Sequence, residues 1–461
     1  MSGSGGLTSD EKQPAAQVAL ALMRPDEVGR VPASVESEVA AVMEAPSLGL
    51  MEQVLARENL VRALKRVVGN GGAPGVDGRT VEALKGLLRR DWPQLKALLL
   101  AGRYVPSPVR QVAIPKPNGG ERRLGIPTVL DRFIQQALLQ VLQAQWDPTF
   151  ADASYGFRPG RSAQQAVARA REYVAQGRVI VVDIDLEAFF DRVNHDVLMG
   201  RVAKRVSDKR VLKLIRAYLN AGIMADGVVS ARVEGTPQGG PLSPLLSNLL
   251  LDEVDRELER RGHCFVRYAD DCNIYVRSLR AGERVMAQMM RLLERLRLKV
   301  NLAKSAVAPV AERQFLGFRL VAEDGGARAL IAPKAARRFR ERVRELTPRH
   351  GHRGIDEVIA ELSRYLRGWS GYFRLAEERW FWRDALGWIS RRLRMLLLVH
   401  WKTAARTYQQ ARRLGGSEHA ARAAAHHRRR WWRTARTAMN LIVTTQHLLA
   451  WGLYDLRPHT R

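Results

Sequence analysis

The sequence predicts a mixed α/β core, then an all-helical domain, then a small basic helical module at the C-terminus. Three observations carry this prediction. Two apolar runs, 178–185 and 264–277, have the length and β-branched content of buried strands, and acids interrupt or end them. Strand signals stop after Gly326, and three helical stretches follow at 334–347, 355–376 and 379–410. The last fifty residues are rich in Arg, His and Trp. At 461 residues the chain is too long for one ordinary core.

The elements follow in order. Residues 1–50 are rich in Ala, Ser and Pro and read as loosely ordered, with a linker-like Met1-Ser-Gly-Ser-Gly-Gly6. From Met51 to Val68, Leu55, Leu60, Leu64 and Val67 fall on one helical face. Gly69-Asn-Gly-Gly-Ala-Pro-Gly-Val-Asp-Gly78 breaks that helix, and Thr80 is the N-cap expected for the next. Val109–Ile114 and Arg122–Ile126 flank the turn Lys116-Pro-Asn-Gly-Gly120, which predicts a hairpin with basic residues on both arms. Residues 131–145 predict a long helix.

Charge narrows the function. Seventy-five Lys and Arg face 47 Asp and Glu, a formal +28 spread along the whole chain. Such a surplus repels itself in the compact state unless a polyanion neutralises it, and nucleic acid is the partner that fits. Two cysteines, Cys264 and Cys272, are too few for a four-ligand zinc site. They fit a reducing cytosol, and cytoplasm is the expected location. No run approaches the ~20 apolar residues of a membrane span, and Ala15–Met23 reads as a helix start rather than a signal peptide.

Two acidic clusters stand out against this basic background. Asp270 and Asp271 occupy a tight turn in Phe265-Val-Arg-Tyr-Ala-Asp-Asp-Cys-Asn-Ile-Tyr-Val276, and Asp183 and Asp185 end the other buried strand. An Asp-Asp pair between strands is often turn chemistry alone. Two such sites in one basic protein point instead to Mg²⁺ held by a few carboxylates on rigid backbone, as phosphoryl transfer requires.

These segments resemble the reverse transcriptases encoded by group II introns. Tyr268-Ala-Asp-Asp271 is similar to that family's active-site box, and Asp185-Leu-Glu-Ala-Phe-Phe-Asp-Arg-Val-Asn-His195 to its first catalytic motif. Gly235-Thr-Pro-Gln-Gly-Gly-Pro-Leu-Ser-Pro-Leu-Leu-Ser-Asn-Leu249 resembles its template-contacting motif. Ile114–Pro127, Ser154–Ser162 and Gln314-Phe-Leu-Gly-Phe318 match further blocks in family order. Leu366–Phe373 and Trp431-Trp-Arg433 resemble its maturase region.

The resemblance implies a right-hand polymerase: fingers and palm at 51–325, a helical thumb and maturase domain at 326–405, and a basic DNA-binding segment at 406–461. It implies two Mg²⁺ ions on Asp185, Asp270 and Asp271. Phe190, aligned with the aromatic that checks the incoming sugar, selects Asp185 over Asp183, and Asp191 takes a structural role. Lys116 and Arg122 would bind the dNTP triphosphate, with Gln238 against the templating pair. Arg123 stands where the family often has Pro. Phe315, Leu316 and Gly317 would grip the primer, and Lys304 matches a lysine proposed to protonate pyrophosphate. Implied partners are the parent intron RNA, a DNA target and primer, and dNTPs. With no His/Cys nuclease recognised, the short, endonuclease-less proteins are the nearest type. A splicing-only maturase and a relative diverted to host defence or repair are the alternatives.

The basic helices extend this reading. Residues 333–353 hold eight Lys or Arg against two Glu, and Arg337, Arg340 and Arg344 share one helical face. Residues 400–436 hold ten against one, including Arg428, Arg429 and Arg430, a surface suited to RNA or DNA phosphates. Trp369, Tyr372, Phe373, Trp380 and Trp382 are expected in the core.

Overall fold

Contiguous apolar runs, buried on both faces, build the sheet on which the site rests. The computed structural model describes residues 49–115, 121–225, 228–230, 234–236, 239–349 and 353–457. Helices α1 (Leu50–Val54), α2 (Arg57–Asn70) and α3 (Ala83–Leu100) precede a hairpin of β1 (Val109–Pro115) and β2 (Glu121–Ile126), and α4 (Val129–Trp146) follows. Thr128 caps α4 by accepting from the Asp131 amide. The single helix expected from Met51 is broken between α1 and α2. Thr80 does not cap α3, whose first residue is Ala83.

The central sheet has the order β6-β7-β3-β8. Its strands are β3 (Ile180–Ile184), β6 (Cys264–Tyr268), β7 (Asp271–Val276) and β8 (Ala306–Pro309). Between β3 and β6 lie α6 (Phe189–Arg192), α7 (His195–Ala203), α8 (Lys209–Asn220), β4 (Ile223–Ala225), β5 (Val228–Ser230) and α9 (Ser243–Arg260). Helix α5 (Ala163–Ala175) precedes β3, and α10 (Leu279–Arg295) follows β7. β4 and β5 extend the fingers hairpin, in the order β2-β1-β4-β5.

Successive strand residues face opposite sides, so the sheet separates two cores. Val182, Ile184, Phe265, Cys272 and Ile274 join the first, with α4, α9 and α10. Val181, Val266 and Tyr275 join the second, which continues into α5 and the C-terminal helices.

The C-terminal half begins one strand later than its composition suggests. β9 (Phe318–Glu323) pairs with β10 (Gly326–Ile331), so extended structure runs past Gly326. Helices α11 (Pro333–Leu346), α12 (Ile355–Tyr372) and α13 (Arg379–His400) follow, then the shorter α14 (Ala404–Arg413), α15 (Glu418–His426), α16 (Trp431–Arg436), α17 (Ala438–Ile442) and α18 (Thr445–Ala450). The helix expected through residue 410 ends at His400, because Lys402 turns left-handed and Thr403 caps α14. Phe339, Trp369, Phe373, Phe381 and Trp382 form one aromatic cluster. Trp380 departs from its expected place in the core and is 54% exposed. Among the described residues no helix is long and apolar enough to cross a membrane.

Candidate active site

The pairing register brings the two acidic clusters together. Asp183 lies opposite Asn273 and Ile184 opposite Cys272, so continuing the ladder sets Asp185 across from Asp271. Asp183 and Asp185 alternate with Val181 and share its face of the sheet, as Asp271 and Asn273 share that of Tyr275. Tyr268 pairs with Asp271, leaving Ala269 and Asp270 as a two-residue hairpin loop. Ala269 has φ of 59°, a left-handed backbone that costs a non-glycine residue roughly 1–2 kcal/mol. Such strain persists only where the surroundings enforce it.

The two acids of β3 have different partners. Arg313 donates to Asp183 Oδ2 from Nε (2.8 Å) and Nη2 (2.5 Å). Asn273 donates from its amide to Asp183 Oδ1 at 3.0 Å, in the orientation its neighbours require. Asp185 is held mainly through its backbone: its N–H donates to Ser305 Oγ (2.9 Å) and its carbonyl accepts from the Asn301 amide (2.8 Å). Its carboxylate meets the exposed Lys304 ammonium at 3.1 Å.

Negative charge is concentrated at this end of the sheet. Burial pushes the Asp271 carboxyl well above the usual carboxylate range, and the charges of Asp183, Asp270 and Asp185 push it the same way. Burial also raises Asp183, with Arg313 opposing. Among the described residues no three His, Cys, Asp or Glu side chains already converge as a finished metal cage. The oxygen-only donor set and the mutual repulsion around Asp271 nevertheless fit a hard divalent ion, which would relieve both.

Other predicted residues gather nearby. Ala188 turns left-handed (φ 48°) into α6, which carries the half-buried Phe190 edge-on to Phe189, 5.2 Å between centroids. The Thr236 amide donates to the Phe190 carbonyl (2.6 Å), while the Gly235 amide donates to Val193 (2.7 Å) and His195 Nε2 contacts the Gly235 carbonyl (2.7 Å). The template-motif segment is thus zipped against α6. Asp191 is exposed, and its backbone lies where a Cβ on Gly235 would collide. Gln238 and Lys116 lie outside the described residues. Of Arg122, the backbone pairs with Ile114 in the fingers hairpin, and Arg123 beside it is exposed.

Phe315, Leu316 and Gly317 form a tight turn in which Phe315 and Phe318 exchange backbone hydrogen bonds (2.8 and 2.9 Å). Leu316 and Gly317 both have positive φ (51° and 81°), and Tyr372 of α12 donates to the Leu316 carbonyl (3.0 Å). Arg337, Arg340 and Arg344 lie exposed along α11, and Arg344 sits 5.8 Å above Trp388. Arg429 and Arg430 are exposed beside α16, whereas Arg428 is half-buried and donates to the Lys402 carbonyl. A cleft of about 670 Å³ opens where β3 begins and β7 ends, lined by Arg178, Arg277 and Arg284. It is at the other end of the strands, so it is not the acidic site.

Sequence reasoning missed Arg313 and Ser305. Arg313 immediately precedes the Gln314–Phe318 block, and a cation beside a motif next to four acids was the available signal. Ser305 carried no such mark.

The fold and the acidic strand ends define a template-directed nucleotidyl transferase of the palm class. Residues 114–320 match the family described as reverse transcriptase (RNA-dependent DNA polymerase), and 336–415 match the group II intron maturase-specific domain. The chain is 34% identical over 315 residues to Protein YkfC of Escherichia coli strain K12, covering 59% of this chain and 82% of that one. It is 36% identical over 181 residues to the group II intron-encoded protein LtrA of Lactococcus lactis subsp. cremoris, covering 39% of this chain and 29% of LtrA. A solved partial Cas6-RT-Cas1–Cas2 complex aligns with 54% of this chain and 43% of that one, at 25% identity and a TM-score of 0.35. The chain belongs to the group II intron reverse transcriptase and maturase family. Its polymerase is RNA-directed and makes DNA.

Proposed function

We propose that this protein binds its parent group II intron RNA, assists its splicing, and copies it by extending the 3′ end of a DNA target. The observation that carries the reading is the acidic end of the palm sheet, where Asp183, Asp185 and Asp270 all act on the half-buried Asp271. Asp185, Asp270 and Asp271 would hold two Mg²⁺ ions. When bound, these supply the Lewis-acid charge that activates the primer 3′ oxygen and offsets charge on the triphosphate. Asp183 stays with Arg313 as a strut, which supports assigning the metal to Asp185. Lys304, 3.1 Å from the Asp185 carboxylate, would protonate the departing pyrophosphate.

The remaining assignments follow the same logic. Lys116 and Arg122 bind the triphosphate, Phe190 excludes the wrong sugar, and Gln238 lies against the templating pair. Phe315, Leu316 and Gly317 steady the primer, a task suited to a turn whose backbone is fixed by both strand and thumb. Arg337, Arg340, Arg344, Arg429 and Arg430 meet phosphates, with Arg428 held beside them by the Lys402 carbonyl, and the domains divide near 325 and 405. The test supplies purified protein with intron RNA and a nicked DNA duplex. Labelled cDNA joined to the nicked 3′ end is the expected product. Extension confined to pre-annealed primers, with no joined product on any nicked target, would contradict target priming.

A further inference from the structure

Beneath the Tyr268–Asp271 turn lies a buried charge pair that the chemistry above does not use. Arg267 of β6 is 1% exposed and Asp255 of α9 is fully buried. The guanidinium grips the carboxylate with two bonds, Nε to Oδ1 at 2.7 Å and Nη2 to Oδ2 at 2.5 Å. Its third nitrogen, Nη1, donates to Asn248 Oδ1 (3.0 Å) and to the Ala269 carbonyl (2.8 Å). Ala269 is the left-handed residue that immediately precedes Asp270.

The same network reaches the turn from its other side. Asn248 donates to the Gly156 carbonyl (2.9 Å), and Gly156 presses on the turn backbone. A Cβ on Gly156 would stand 2.9 Å from the Tyr268 carbonyl carbon and collide with the Ala269 nitrogen. Residues 153–155 run alongside β6, where the Arg267 amide donates to Ala153 (2.9 Å) and the Tyr155 amide to Arg267 (2.8 Å). The loop is therefore held by a guanidinium on its carbonyl and by glycine packing on its nitrogen.

Stability alone does not account for the pair. Two charges pay heavily in lost hydration when buried, and well-packed apolar residues of similar volume often serve a core equally well. What the ion pair adds is a donor fixed in direction at the Ala269 carbonyl, in a place where alanine must hold a backbone natural to glycine.

We propose that Arg267 is a positioning residue. Through Asp255 and Asn248 it fixes the left-handed Ala269 and so sets the spacing of Asp270 and Asp271 for divalent cations. This rests on the reading that those two acids hold metal, and Asp270→Ala tests that reading separately through loss of extension. The network is tested by binding of Mn²⁺ alone to the full chain, followed by electron paramagnetic resonance, beside the Mg²⁺ dependence of primer extension.

Arg267→Lys keeps the charge but loses the planar fork of donors that reaches Asp255, Asn248 and the Ala269 carbonyl together. It is expected to weaken Mn²⁺ binding by about 10–100-fold, the range typical of groups that orient metal ligands. The Mg²⁺ needed for half-maximal rate should rise in parallel. Adding Ala269→Gly, which adopts the turn unaided, should recover much of the loss. A purely structural pair would lower the melting temperature and leave both metal titrations at wild-type values, and that result overturns the proposal. Should Arg267→Lys fail to fold, Gly156→Ala displaces the turn from outside the ion pair. Weakened Mn²⁺ binding in that variant supports the proposal, and unchanged binding overturns it.

Discussion

The palm and the C-terminal helices both depend on arginine, but they use it in opposite ways. In the palm, Arg267 and Arg313 are committed to Asp255 and Asp183 by two bonds each, and both pairs lie in or beside the acidic strand ends. Beyond residue 380, acids are scarce, and beside exposed ion pairs such as Arg422–Glu418 several arginines pair with carbonyls and rings. Arg391 stacks 3.9 Å above Trp432, Arg394 reaches the Val443 carbonyl, and Arg392 reaches that of Thr347. Oriented carboxylates need fixed partners because chemistry is sensitive to fractions of an ångström. Attraction to a phosphate backbone depends on charge and approximate position, so it tolerates looser anchoring.

The largest expected effect is therefore in the palm. Asp185→Asn should lower primer extension by about 10³-fold or more, equivalent to about 4 kcal/mol of transition-state stabilisation. Asp183→Asn, which weakens the strut to Arg313 and removes one charge beside Asp271, should lower it by about tenfold, near 1.4 kcal/mol. Single-turnover rates at saturating Mg²⁺ measure both, and the opposite ordering would move the metal site to Asp183.

A middle-sized effect belongs to the C-terminal surface. Replacing Arg428, Arg429 and Arg430 with Ala should flatten the log–log salt dependence of duplex DNA binding. Each phosphate contact contributes about 0.9 to that slope, or ~0.7 for a single strand. With Arg428 engaged by the Lys402 carbonyl, two contacts and a change near 1.8 are expected for duplex. Binding titrations at four salt concentrations read the slope, while extension of a short pre-annealed primer stays near wild type. Identical slopes would remove this segment from the binding surface.

The smallest effect concerns stability of the metal-free protein. The Asp271 carboxyl is raised by burial and by its acidic neighbours, so the folded state holds its proton to higher pH than the unfolded chain does. Stability is then lost as pH rises from the ordinary carboxylate range through the raised value. Asp271→Asn should accordingly raise the apo melting temperature by a few degrees at neutral pH, and the gain should vanish in acid. A variant that melts lower than wild type at neutral pH would show that the acid is not under strain.

The same contrast explains what was legible in the sequence. β3 and the β6–β7 hairpin announce themselves because their apolar runs and turn are contiguous, and the acids lie inside those runs. The partners that fix them are remote in the chain: Arg313 is 130 residues from Asp183, and Ser305 is 120 from Asp185. Local patterning carries no record of such distances. β10 escaped because Gly326-Ala-Arg-Ala-Leu-Ile331 begins with small residues and gains its strand character only by pairing with β9. Residue type predicts Trp380 in the core, yet the cluster around Trp369 and Trp382 leaves it on the surface.

The catalytic role of the acidic strand ends is read out by extension of a DNA primer annealed to an RNA template, with Mg²⁺ and dNTPs, by wild type and Asp270→Ala side by side. RNA binding is measured on the same preparations. Wild type should yield cDNA and the variant none, with matching affinity for the RNA. Near-normal synthesis by Asp270→Ala would contradict that role.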